Sequence, residues 1–133
     1  MIKSQPLATV FIPSYNAGAH LHEAVASVFA QTTPDWELLI VDDGSTDGSV
    51  EAVQQHFDDP RLRVTRLARN LGTGVARNRG LALAKGEFLI NLDADDLALP
   101  ERIASQTAFF RAHPNVDVLT GAMELFDDDG VHG

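Results

Sequence analysis

The chain has 133 residues, 44% of them hydrophobic and 22% charged, an ordinary balance for one globular domain with a modest core. A formal net charge of −9 argues against a nucleic-acid-binding surface, and the lack of cysteine excludes disulfides and thiolate metal sites. No apolar run approaches the length of a bilayer span, and Met1-Ile2-Lys3-Ser4-Gln5-Pro6 lacks the apolar stretch of a secretory signal.

Strand-like and helix-like runs alternate along the chain. Residues 7–13 are predicted as a first strand, where nearly continuous apolar Val10, Phe11 and Ile12 suit a parallel strand covered on both faces. Residues 19–31 carry Leu21, Val25, Val28 and Phe29 at helical spacing. A second strand is predicted over 36–41, and a helix over 49–57 with Val50, Val53 and Phe57 on one face. Residues 62–67 alternate like an edge strand, 74–85 form a small-residue helix with Gly86 as its C-cap, and 88–92 form a fourth strand. Pro100 opens a helix to about residue 113, before Pro114. A fifth strand is expected over 116–120 and the start of a sixth over 123–126. Asp127-Asp128-Asp129-Gly130 reads as a hairpin turn without its return strand, which suggests a fragment. The pattern indicates an α/β fold, a mostly parallel sheet flanked by helices.

In such sheets ligands bind outside the carboxyl ends of the strands. The polar clusters fall there: Pro13-Ser14-Tyr15-Asn16, then Asp42-Asp43-Gly44-Ser45, then Asn70-Leu71-Gly72 with Arg77, then Asp93-Ala94-Asp95-Asp96. Asp93 and Asp95, one residue apart past a buried strand, can aim two hard oxygen ligands into one cavity and suit magnesium or manganese. A metal there could neutralise charge developing on a leaving diphosphate. Asp96 reads as the cap of the next helix, and Ser45, Thr46 and Asp47 as caps of the second. Asp42 or Asp43 can accept an N–H from a base edge, and Tyr15 can stack on a base or sit as a rim aromatic. Arg77 can reach a phosphate or pair with Asp42, Asp43 or Asp93. The histidines at 20, 22, 56, 113 and 132 show no metal-ligand pairing with one another.

Four stretches in this order resemble family 2 glycosyltransferases: 9–16, 36–47, 70–80 and 93–102. The resemblance covers nearly the whole chain, 1–133 being expected as the nucleotide-sugar-binding part of one Rossmann-like GT-A domain. It implies a nucleoside diphosphate sugar donor, often a UDP-sugar, and a divalent cation, Mn2+ or Mg2+. By motif position, Pro13 and Tyr15 would line the base pocket, Asp43 or Asp42 would contact the base, and Asp93 would lie near ribose and metal. Asp95 would bind the metal, and Arg77 is the looser assignment. The acceptor would be a saccharide or a lipid-linked one, and the expected location is the cytoplasm, including the inner face of the membrane. In that family the catalytic base comes from a C-terminal half with no counterpart here. The chain is therefore expected to bind donor, transfer poorly, and self-associate through its uncovered sheet. Competing readings are a non-catalytic nucleotide-sugar module, a nucleotidyltransferase, and an aspartate-based phosphoryl-transfer or receiver-like domain. The last lacks the lysine it would need at a later strand end.

Overall fold

The structure, a computed structural model, describes residues 5–132, with His132 described only in its backbone. Strands and helices alternate: β1 (Ala8–Ser14), α1 (Ala19–Phe29), β2 (Trp36–Asp42), α2 (Ser49–His56), β3 (Leu62–Arg66), α3 (Thr73–Leu83), β4 (Phe88–Asn91) and α4 (Arg102–Ala112). The first four strands form one parallel sheet in the order β3-β2-β1-β4. A separate hairpin of β5 (Leu125–Asp127) and β6 (Gly130–His132) follows.

Period-2 alternation splits the central strands between two cores. Val10, Ile12, Leu38 and Ile40 face the larger one, closed by Leu21, Val25 and Val28 of α1, Val50 and Val53 of α2, and Ile103 of α4. Phe11, Leu39 and Val41 face the smaller one, closed by Leu67 and Ala76. Covered on both sides, β2 is buried at every position, as its unbroken apolar centre requires.

The chain leaves β1 for β2 and β3 on one side, then returns to place β4 on the other. β1 and β4 stay paired only as far as Phe11 and Asn91, with the Leu92 amide donating to the Phe11 carbonyl at 3.1 Å. Two residues further, Pro13 has no N–H to offer the same side. It stands where that ladder has already ended, so the missing donor costs nothing. The strands part here, and a crevice opens at the point where strand order reverses.

At the opposite end of the sheet, Glu37 is held among buried groups. Its carboxylate accepts Thr9 Oγ1 at 2.6 Å, the Lys85 amide at 2.7 Å and the Arg63 guanidinium at 3.0 Å. Burial pushes the Glu37 carboxyl up, but these hydrogen bonds and the Arg63 charge outweigh it and hold the group below its ordinary value.

Several sequence expectations are corrected. α1 stops at Phe29, with Ala30 as its C-cap; Gln31 lies beyond it, and its Oε1 accepts the Ile103 amide at 3.0 Å near the start of α4. Gly86 is not the C-cap of α3, which ends at Leu83 with Ala84 extended. A Cβ on Gly86 would come within 2.3 Å of the Thr9 nitrogen, so glycine is needed for close approach to β1. α4 starts at Arg102, two residues after Pro100. Residues 116–120 form no strand, and Val118 is 80% exposed. The acidic turn does have its return strand, with Asp127 paired to Gly130. No helix among the described residues is long and apolar enough to cross a membrane.

Candidate functional site

The crevice beyond β1 and β4 is a cleft of about 500 Å³. The end of β1 contributes Pro13 and Ser14, the loop after it Tyr15 and Asn16, α1 adds His20, and the residue following β2 is Asp43. Thr73, Ala76 and Arg77 of α3 form another wall, and Asp93, Ala94 and Asp95 after β4 complete the rim. Six of the seven side chains singled out from sequence, all but Asp42, therefore border one cavity.

Asp42 and Asp43 are neighbours, yet strand geometry sends them different ways. Asp42 is fully buried; its oxygens accept the Ser45 amide at 3.2 and 3.3 Å, and Arg66 approaches to 3.8 Å. Asp43 is also buried, but it reaches the cleft wall while its two oxygens accept the Leu71 and Gly72 amides at 2.7 and 3.0 Å. A carboxylate has about four lone-pair sites, so Asp43 keeps acceptor capacity after binding both amides. Gly44, at φ 84°, lets this turn press on the 69–70 backbone, where a Cβ would meet the Asn70 nitrogen at 2.8 Å.

The opposite rim is wetter. Asp93 and Arg77 are about half exposed, with a single contact of 3.5 Å between them. At that distance and exposure the pair contributes little to stability. Asp95 has no side-chain hydrogen bond among the described contacts. Burial first, and then the charges of Asp95 and Asp93, push the Asp96 carboxyl above its ordinary value. Asp96 caps no helix, since α4 begins beyond Glu101 without a side-chain cap. Among the described residues no cluster of three His, Cys, Asp or Glu could hold a metal by itself. The donor chemistry on this rim is two adjacent exposed carboxylates. That set suits a hard cation which completes its sphere with ligand oxygens and water.

Asp47 does not cap α2 from the N-cap position, which is Gly48; its Oδ1 accepts the Ser49 amide at 3.0 Å and the Ser49 hydroxyl at 2.6 Å. The Ser49 side chain, then its amide, hold Asp47 below its ordinary value against opposing burial. Sequence reading missed His20 on the cleft wall, since a histidine at the start of an amphipathic helix carries no distinguishing spacing. His22 packs instead on His56 and Phe57 at ring separations of 4.7 and 5.0 Å.

The family model for glycosyl transferase family 2 matches residues 9–131. An Escherichia coli protein named UDP-Glc:alpha-D-GlcNAc-diphosphoundecaprenol beta-1,3-glucosyltransferase WfgD is 31% identical over 96% of the chain and 49% of its own length. The S. aureus TarS structure in complex with UDP-GlcNAc superposes with a TM-score of 0.75 at 33% identity, covering 80% of this chain and 32% of that one. Mannosyltransferase PcManGT from Pyrobaculum calidifontis, in complex with GDP-Man and Mn2+, gives 0.68 at 31% identity, over 79% of this chain and 32% of that one. The chain spans about half the length of the curated relatives it matches.

Proposed function

We propose a function from one premise: the chain belongs to glycosyl transferase family 2. Its sheet is the parallel core of the GT-A glycosyltransferase fold. In this reading the cleft holds the donor of a reaction that moves a sugar from a nucleoside diphosphate to an acceptor hydroxyl. The observation that carries it is the meeting of Asp43, from the end of β2, with Asp93 and Asp95, from beyond the end of β4, on one cavity.

Each residue has a task within that cavity. Tyr15, 51% exposed, offers its ring to a base beside Pro13. Asp43 accepts a base N–H with its spare lone pairs; uracil presents such a donor at N3 and cytosine does not. Asp42 acts from behind, holding the Ser45 turn. Asp93 and Asp95 would hold Mn2+ or Mg2+ and leave positions open for diphosphate oxygens. When bound, that cation supplies charge neutralisation as the diphosphate departs. Arg77 adds a second positive group on the same side.

The donor is a UDP-sugar in this reading, as in the TarS complex, and the acceptor a saccharide or lipid-linked saccharide, as the E. coli relative's name describes. Transfer is inverting, with a general base deprotonating the acceptor hydroxyl as it attacks from the far side. Every cleft carboxylate is already committed to base, backbone or cation, so none is assigned as that general base. Slow transfer by this chain alone is the consequence. The outer edge of β4, with Leu89 41% exposed, is the surface through which two copies would associate, a point sedimentation checks.

Calorimetric titration with UDP, GDP and their sugars, with and without manganese, tests the reading. UDP-sugar binding that strengthens with manganese supports it. Heat-silent titrations with all of them would remove it.

A further inference from the structure

We infer that Asn16 is a positioning residue for the donor cleft, clasping the loop that carries Tyr15 to the loop that follows Asp43, so that ring and carboxylate keep one spacing before a nucleotide arrives. The inference rests on the nucleotide reading above, and goes beyond it to what sets the geometry of the base slot.

The clasp is reciprocal. The Asn16 amide donates to Ser45 Oγ at 2.9 Å, and the Thr46 amide donates back to Asn16 Oδ1 at 2.8 Å. One residue pair further along, the Gly18 amide donates to Asp47 Oδ2 at 3.0 Å. These three bonds cross 29 or 30 positions of sequence, and all are exposed to water. Asn16 is the one non-glycine residue with positive φ, at 47°, among the described residues. Asparagine tolerates that left-handed geometry, which aims its amide and its side chain at the same neighbouring turn. Behind this loop only Ala17 is partly buried against the core, so little else fixes it. A loop ordered in advance removes part of the entropy cost of binding.

Tyr15 is the only tyrosine, which gives a direct probe. The full chain carrying 3-fluorotyrosine shows one fluorine resonance, reporting the Tyr15 ring alone. In Asn16→Gly the left-handed φ is retained and only the side-chain acceptor is removed. The resonance is expected to move towards that of an unstructured tyrosine, UDP affinity to fall roughly 10-fold, and the unfolding temperature to stay within about 2 °C. Ser45→Ala removes the reciprocal acceptor and should move the same resonance. Adding it to Asn16→Gly should cost little more affinity, because both act through one clasp. An unmoved resonance with parental UDP affinity in Asn16→Gly overturns the inference and leaves the donor reading standing. A parent chain that binds no nucleotide overturns the donor reading itself, and the inference with it.

Discussion

Glu37, near the amino-terminal end of the sheet, is 8% exposed and accepts hydrogen bonds from a threonine, a backbone amide and an arginine. Asp93 and Asp95, past the carboxyl end of β4, are exposed, and the one described side-chain contact between them and a cation is 3.5 Å to Arg77. All three belong to the same chain of net charge −9, where each unpaired carboxylate adds repulsion. The difference teaches where to look for function. A carboxylate whose lone pairs are filled by its own fold is part of the scaffold. A pair left open beside a cleft is available to a cation and to phosphate. Asp43 combines both conditions, anchored by two amides yet still facing the cavity.

The comparison is broken most forcefully at the open end. Asp95→Asn should weaken manganese-dependent UDP binding roughly 100-fold, about 2.7 kcal/mol, by taking one of two anionic ligands from the cation. Because Asp95 makes no described side-chain bond, the unfolding temperature should not fall. Paired calorimetry and thermal melts check both halves. A variant that melts early while binding UDP normally would place Asp95 with Glu37.

The converse experiment is Glu37→Gln. Removing the charge leaves Arg63 and the Lys85 amide with poorer partners, at a cost of about 2 kcal/mol near neutral pH. Nucleotide affinity should not change, since Glu37 lies at the far end of β2 from Asp43. The pH dependence has a definite sign. The folded pKa lies below the ordinary value of 4.5, so the unfolded chain binds the proton more readily. Glu37 therefore stabilises above that value, and its contribution disappears as pH falls through the folded pKa. Denaturant melts of parent and variant should converge in that acidic range. A gap that stays constant with pH would show that the charge does not matter.

Much of this contrast was legible in the sequence, and the illegible part has a physical cause. Apolar runs such as Leu38-Leu39-Ile40-Val41 mark buried strands directly, and the four strands of the sheet and its helices fall close to their expected bounds. A strand also needs a neighbour with free backbone groups, which composition does not encode. Residues 116–120 have the right residue types, yet they pair with neither edge of the sheet, β3 or β4. The convergence of Asp43, Asp93 and Asp95 follows from the general rule for strand ends. The division of labour between Asp42 and Asp43 does not, because it depends on which face each occupies. Glu37 carries no distinguishing pattern in the sequence; its importance lies in Thr9, Arg63 and Lys85, up to 48 positions away. The Asn16 clasp was hidden for the same reason: its partners lie 29 and 30 positions away, and Ser45 and Thr46 read as helix caps.

Ser14 gives the smallest and most discriminating test, because it shares one property with each end. It is 3% exposed, like Glu37, and its hydroxyl has no hydrogen-bond partner among the described residues, like Asp95. A buried, unpaired hydroxyl destabilises a fold by about 1–3 kcal/mol. Ser14→Ala removes that penalty but loses some packing, so a gain of about 1 kcal/mol is expected, or ~3–5 °C in a chain of this size. UDP affinity should stay level, since the oxygen itself is sealed from solvent although its residue borders the cleft. A weakened affinity in this variant would instead make the hydroxyl a ligand group. The rule drawn from Glu37 and Asp95 would then sharpen: an open hydrogen-bonding site, more than exposure, marks what the cleft is built to hold.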